Sequence, residues 1–259
     1  MKVSVEFIRR LAAAAAAETL PRFRQSGTVS NKLEGGFDPV TEADREAELA
    51  IRALIKAEYP DHGILGEEHG VEKGSSSHVW VIDPIDGTRA FITGLPVWGT
   101  LVGLTVDGDA IAGLMAQPFT GELFYATGSS TRYEGPGGPR ILRTRQTTKL
   151  SEATLMTTTP GMFTGEMRAA YDRLEAKVKL ARYGTDCYAY AMVAAGHADL
   201  VCEVGLKPYD IVALIPVIEK AGGVVTTFTG GPAEKGGNVI AAATPELHAA
   251  AMEVLAASA

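Results

Sequence analysis

Three strand-like runs follow one another with little between them near the middle of the chain, and this most limits how it can fold. Val97 to Val106 and Ala110 to Ala116 flank Asp107-Gly108-Asp109, a hairpin signal, and Gly121 to Ala126 adds another strand. A Gly/Pro-rich turn from Gly135 to Pro139 then separates two halves, roughly 1–140 and 141–259. Beyond it the signals alternate. Thr154 to Thr159 reads as strand, Thr164 to Lys177 and Asp186 to Ala195 as helices, and Leu200 to Val204 as strand. A helix from Tyr209 to Lys220 stops at Gly222-Gly223. Strands Val224 to Phe228 and Asn238 to Ala242 and a helix from Pro245 close the chain. Hairpins first and alternation later call for layered sheets and helices.

The N-terminal part begins with a helix from Ser4 to Arg24, which Pro21 kinks or ends. A loop spans Asn31 to Pro39. A second helix starts at Thr41, with Asp44 placed for a capping box, and ends at Tyr59-Pro60. Two short apolar runs then lead into acids: Gly63 to Gly66 into Glu67-Glu68, and Val79 to Ile82 into Asp83.

With 259 residues, 46% of them hydrophobic, the chain can build a substantial core, and we expect one domain of two intimate halves over 1–259. Its net charge of −7 and pI near 5.3 argue against nucleic acid as a partner. An anionic substrate would need a local cation or helix N-termini. Two cysteines, Cys187 and Cys202, make no disulfide framework; they suit a reducing cytosol and read as small buried hydrophobes. The apolar run Ala12 to Ala17 is too short to span a bilayer and reads as helix, not as a signal peptide.

Four acidic sites share one context. Glu67 and Asp83 each follow an apolar strand. Asp86 opens Gly87-Thr88, and Asp210 sits where a strand passes into a helix. Carboxylates at such junctions can converge from separate segments, and hard dications such as Mg²⁺ take such oxygen ligands. Pro84 fixes the direction after the strand, and the Ile85 carbonyl can turn inward between the two aspartates. Gly87 lets a phosphate approach, and the Gly87 and Thr88 amides make a seat for it. Each residue alone has a plainer reading. Asp86 alone reads as an N-cap, Glu67-Glu68 as a solvated pair, and Asp44 as only the cap of its own helix. The coincidence of all four weakens those readings.

At this point the chain resembles the inositol monophosphatase family. The matching blocks are Asp38-Pro39-Val40-Thr41-Glu42-Ala43-Asp44, Gly66-Glu67-Glu68, Trp80 through Thr88, and Pro208-Tyr209-Asp210 through Ala221-Gly222-Gly223. The resemblance implies an α+β fold, a layered αβαβα sandwich, with two or three Mg²⁺ ions. It implies that Glu67, Asp83, the Ile85 carbonyl, Asp86 and Asp210 are metal ligands. By the same token Glu67, Thr88 and Asp44 serve the attacking water, with no covalent enzyme intermediate. The implied partner is a small phosphorylated metabolite, and the implied assembly a cytoplasmic homodimer.

Within the family, Arg89-Ala90-Phe91-Ile92-Thr93-Gly94, Gly184-Thr185-Asp186-Cys187-Tyr188-Ala189-Tyr190 and Lys207-Pro208-Tyr209-Asp210 resemble the histidinol-phosphate phosphatase branch. Histidinol phosphate is therefore the preferred substrate, with inositol 1-phosphate or another polyol phosphate as the alternative. Gly87, Thr88, Arg89, Asp186 and Glu203 are the expected substrate contacts. A carboxylate at Glu203 suits either an ammonium group or a hydroxyl. The alternative readings are an N-cap of the following helix for Asp186 and a surface ion pair for Arg89. The five histidines, His62, His69, His78, His197 and His248, share no ligand spacing and read as surface or loop residues.

Overall fold

The structure, a computed structural model, describes residues 3–25, 29–31 and 39–257. Helix α1 (Val5–Thr19) starts at Ser4, whose hydroxyl accepts the Phe7 amide at 3.1 Å. Two short strands, β1 (Val29–Asn31) and β2 (Pro39–Thr41), pair antiparallel. Helix α2 (Glu42–Glu58) follows, with the capping box that Thr41 and Asp44 lead one to expect.

A large sheet forms next, from β3 (Gly63–Gly66), β4 (Gly70–Glu72) and β5 (His78–Asp86). A short helix α3 (Thr88–Ile92) interrupts it before β6 (Gly99–Val106), β7 (Asp109–Gln117) and β8 (Glu122–Ala126). Strands β9 (Thr131–Glu134) and β10 (Arg140–Ile141) complete it, in the order β10-β9-β8-β7-β6-β5-β3-β4. Only β3 and β5 run parallel in this sheet.

A second sheet takes β11 (Thr154–Thr157), β12 (Leu180–Tyr183), β13 (Leu200–Leu206), β14 (Val224–Thr227) and β15 (Gly237–Ala242), in the order β12-β11-β13-β15-β14. Helices α4 (Gly165–Glu175), α5 (Asp186–Ala194), α6 (Pro208–Ile211), α7 (Leu214–Glu219) and α8 (Pro245–Ala256) belong to this half.

Side-chain alternation along the strands sets the layers. In β6, Val102 and Leu104 pack with Phe7, Leu11, Ile51 and Ile55 of α1 and α2. Their neighbour Leu101 points the other way, into a core shared with Ala191 of α5, Val217 of α7, and Val201 and Val239 of the second sheet. From that sheet's outer face Leu200, Cys202 and Ile240 meet Tyr171 of α4 and Leu247 of α8. The stack is therefore helices, sheet, helices, sheet, helices: the αβαβα order.

Several expectations shift at element ends. The first helix stops at Thr19, not Arg24, because Pro21 cannot donate to a continuing ladder. The run from Val97 enters the sheet only at Gly99. The expected helix Tyr209–Lys220 is divided into α6 and α7, since Pro216 has no N–H for the Val212 carbonyl. Of the expected Asn31–Pro39 loop, Asn31 and Pro39 belong to β1 and β2, and the rest, with Asp38, lies outside the described residues. Cys187 and Cys202 are both buried and free. His62 is no surface residue. It is 8% exposed and stacks between Tyr59 and His78. Among the described residues no helix is long and apolar enough to cross a membrane.

Candidate active site

The site forms where β5 leaves its ladder. Asp83 pairs with Leu101 but Asp86 with Gly99, so one extra residue sits in β5. Pro84 lies in this bulge, where its missing N–H costs nothing, and the Thr100 hydroxyl donates to its carbonyl at 2.8 Å. The Ile85 side chain drops into a cluster with Phe23, Ala43, Phe91 and Trp98. The Ile85 amide donates to Asp83 Oδ1 at 3.1 Å. Gly87 then takes φ +83°, open to glycine without strain, and α3 begins. A side chain at Gly87 would also press on Asp186, whose Cβ would lie 3.1 Å from the added carbon.

Asp83, Asp86 and Asp210 each offer a carboxylate oxygen, and the three lie within 4.8 Å of one another. Asp210 is brought there by α6, where its Oδ2 accepts the Lys207 amide at 2.6 Å. The Cys187 amide at the start of α5 donates to Asp86 Oδ1 at 2.8 Å. Glu67 leaves β3 with its amide on the Ile82 carbonyl at 3.1 Å, which sets its carboxyl within hydrogen-bonding reach of Asp83.

So many acids in one place resist ionisation. Burial pushes Asp83 well above the usual carboxylate range, and the charges of Glu67, Asp86 and Asp210 add to it. Burial likewise pushes Asp86 up, followed by Asp210 and Asp186, while the Cys187 amide pulls it back. A dication relieves this repulsion. The donor set is all oxygen, as Mg²⁺ and similar hard ions require. The residues therefore fit a divalent metal.

A cleft of about 250 Å³ gathers Glu67, Asp83, Ile85, Asp86, Gly87, Thr88, Arg89, Asp186 and Asp210. Two other expected residues stand behind its wall. Glu203 is 2% exposed; its Oε1 accepts the Thr158 amide, and its Oε2 is buried without a partner. Burial holds its carboxyl at about 7, with the Thr158 bonds pulling down and Asp186 pushing up. Asp44 is 1% exposed. Its Oδ2 accepts the Thr41 amide and hydroxyl at 2.8 and 2.6 Å, and its Oδ1 has no partner. Burial raises it to about 6, against the Thr41 bonds and with help from Glu68 and Glu67. Thr88 Oγ1 donates to the Ile85 carbonyl at 3.1 Å, and no hydrogen bond joins Thr88 to Asp44.

Asp186 adopts φ +41°, which is uncommon for a residue with a side chain. Burial raises its carboxyl, while a Thr158 bond and the Arg89 charge lower it. Thr158 thus ties Asp186 to Glu203. Sequence reasoning missed Thr158, although it stands just beyond the C-terminal end of β11, within the expected strand Thr154–Thr159. Met162 and Leu206, which also line the cleft, carry no comparable signal.

The inositol monophosphatase family model matches residues 2–258. The chain is 44% identical over 245 residues to bifunctional phosphatase IMPL2 of Arabidopsis thaliana, covering 90% of this chain and 69% of that one. It is 33% identical over 231 residues to a histidinol-phosphatase of Chlorobaculum parvum, covering 89% and 88%. Its fold superposes on an inositol monophosphatase from Zymomonas mobilis with a TM-score of 0.85, at 38% identity and 96% coverage of both chains. With the acidic cluster at the end of β5, these likenesses make the chain a metal-dependent phosphomonoesterase of the inositol monophosphatase family.

Proposed function

We propose that the chain hydrolyses histidinol phosphate to histidinol and phosphate, using two or three Mg²⁺ ions. The observation that carries this reading is the acidic wall beside the metal cluster. Asp186 lines the cleft, and Glu203 backs it through Thr158. Histidinol phosphate brings an ammonium group and an imidazole, and both donate to carboxylates.

Glu67, Asp83, the Ile85 carbonyl, Asp86 and Asp210 would hold the metal. Bound there, a dication supplies Lewis acidity toward phosphoryl oxygens and lowers the pKa of water toward neutrality. Glu67 orients the attacking water and accepts from it. Thr88 is no base by itself. The reading asks its hydroxyl to exchange the Ile85 carbonyl for Asp44, whose Oδ1 offers a buried acceptor. The amides of Gly87 and Thr88 hold the phosphoryl oxygens. Arg89 lies at the rim, where it meets either the substrate or Asp186. The same resemblance extends the proposal to a cytoplasmic homodimer.

Inositol 1-phosphate is the second reading, favoured by the likeness to the Zymomonas mobilis inositol monophosphatase. Phosphate release from both substrates under Mg²⁺ tests the choice. Histidinol phosphate should give the higher kcat/KM; a large preference for inositol 1-phosphate overturns the assignment.

A further inference from the structure

We infer that Glu48 and Arg52 are positioning residues for Glu67, holding the turn from Gly66 to Gly70 in the shape that presents its carboxyl to Asp83. The inference rests on the metal reading of the acidic cluster.

Neither residue belongs to the cleft, yet both are buried on α2, with Glu48 fully inaccessible. The Glu48 carboxylate receives backbone amides from the turn that carries Glu67. Its Oε2 accepts the Glu68 amide at 2.7 Å, and its Oε1 accepts the His69 amide at 3.2 Å. The Glu68 amide belongs to the peptide joining Glu67 to Glu68, so this bond fixes the plane on the C-terminal side of Glu67. On the other side the Glu67 amide is fixed by the Ile82 carbonyl, next to Asp83. Glu67 is thus pinned from β5 and from α2 at once.

Arg52 completes the clamp. Its Nε donates to Glu48 Oε1 at 2.7 Å, and its Nη2 donates to the Gly70 carbonyl at the far end of the turn. Without Arg52 the Glu48 charge would be buried and unpaired. Gly66 is part of the same fit. A Cβ there would lie 1.9 Å from Glu48 Oε1 and 2.8 Å from Arg52 Nη2. A pair serving only to fill the core would not need to receive two successive amides of a ligand-bearing turn. Groups that orient a metal's ligands typically contribute about 10- to 100-fold to its affinity.

The test uses the full chain and Glu48→Gln, with Mg²⁺ as the probe. Amide hydrogen exchange in metal-free protein should quicken about tenfold or more at Glu68 and His69 and stay unchanged in β6. The Mg²⁺ concentration that half-maximally raises the unfolding temperature should climb about 10- to 100-fold. A folded variant with unchanged exchange at those amides, or an unchanged Mg²⁺ midpoint, overturns the inference. Where Glu48→Gln fails to fold, Arg52→Lys keeps the cation but loses the fork to Gly70. Its Mg²⁺ midpoint should also rise, and an unchanged midpoint is equally fatal. If Mg²⁺ does not stabilise the unaltered chain, the metal reading fails separately, and the Glu68 and His69 exchange rates alone decide the clamp.

Discussion

Gly113 of β7 lies directly against the backbone of Ala213, where α6 passes into α7: a Cβ on Gly113 would stand 2.0 Å from the Ala213 carbonyl oxygen. Across the ladder Gly103 faces Gly113, and it too touches the Ala213 backbone. The two glycines form a slot in the sheet. The chain that leaves Asp210 lies in this slot, and that is how a residue from the second half reaches Asp83 and Asp86 of the first.

Gly113→Ala should therefore do more than loosen a strand. The added methyl meets backbone, which cannot swing aside, so the α6–α7 junction must move. Overpacking of this kind costs about 1–3 kcal/mol. For a chain of this size that lowers the unfolding temperature by about 2–4 °C per kcal/mol. Because Asp210 moves with the junction, the Mg²⁺ requirement should rise as well. Gly231→Ala is the control, since its Cβ would find only ordinary contact with Thr227 Oγ1 at 3.5 Å. Thermal unfolding with and without Mg²⁺ checks both. A Gly113→Ala protein that matches the control contradicts the slot.

Asp83→Asn separates stability from activity. The asparagine keeps an oxygen for the Ile85 amide and offers an N–H₂ to neighbouring carboxylates, so the cost of burying a charge there, beside Glu67, Asp86 and Asp210, disappears. We expect turnover to be abolished. We also expect the metal-free variant to gain about 0.5–2 kcal/mol, in the range of single stabilising substitutions. Its unfolding temperature should no longer respond to Mg²⁺. Full activity in Asp83→Asn would sink the metal reading, and a destabilised metal-free variant would contradict that cost.

The layered architecture was legible because its signals are local. The Asp107-Gly108-Asp109 hairpin, the Thr41–Asp44 capping box and the apolar run into Asp83 each act within a few residues. The cluster was legible for a similar reason, since each carboxylate ends or begins an element. What was hidden depends on contacts between distant segments. β4 and β12 are short edge strands with exposed side chains, such as Val71 and Leu180, so no apolar alternation announces them. Thr158 gains its meaning only when β11 and β13 lie side by side and bring it to Glu203. The burial of Asp44 and Glu203 behind the cleft, with the resulting rise in their pKa values, is likewise a property of packing.

The stack around His62 should make the protein sensitive to acid. Trp80 Nε1 donates to His62 Nδ1 at 3.0 Å, so the fold needs that nitrogen unprotonated. Burial lowers the His62 pKa below its ordinary 6.5, and the adjacent His78 lowers it further, with Asp61 opposing. The folded pKa is depressed, so protonation favours the unfolded chain. The stabilising contribution is full above about 6.5 and is lost as pH falls through the folded value. His62→Phe should flatten this part of the stability profile. It also strands the Trp80 N–H, at a cost of about 1–3 kcal/mol at neutral pH. Denaturant unfolding from pH 8 to pH 5 measures both effects. Equal pH slopes in the two proteins would remove His62 as the cause.

Substrate choice should be decided by Asp186 and Glu203, and their neutral isosteres separate the two candidate substrates. Asp186→Asn and Glu203→Gln keep shape and remove charge. Hydrogen bonds that involve a charged group contribute about 1.5–3 kcal/mol, and 1.4 kcal/mol is tenfold. A cationic substrate held by either carboxylate should lose about 10- to 100-fold in kcat/KM, most of it in KM. A neutral polyol phosphate can still donate its hydroxyls to the amide oxygen and should lose far less. Asp186 lines the cleft, whereas Glu203 stands behind Thr158, so Asp186→Asn should produce the larger loss. Phosphate-release kinetics with histidinol phosphate and inositol 1-phosphate give the ratio directly. If both substrates weaken equally in both variants, the acidic wall does not read the substrate's charge, and the histidinol assignment loses its structural support.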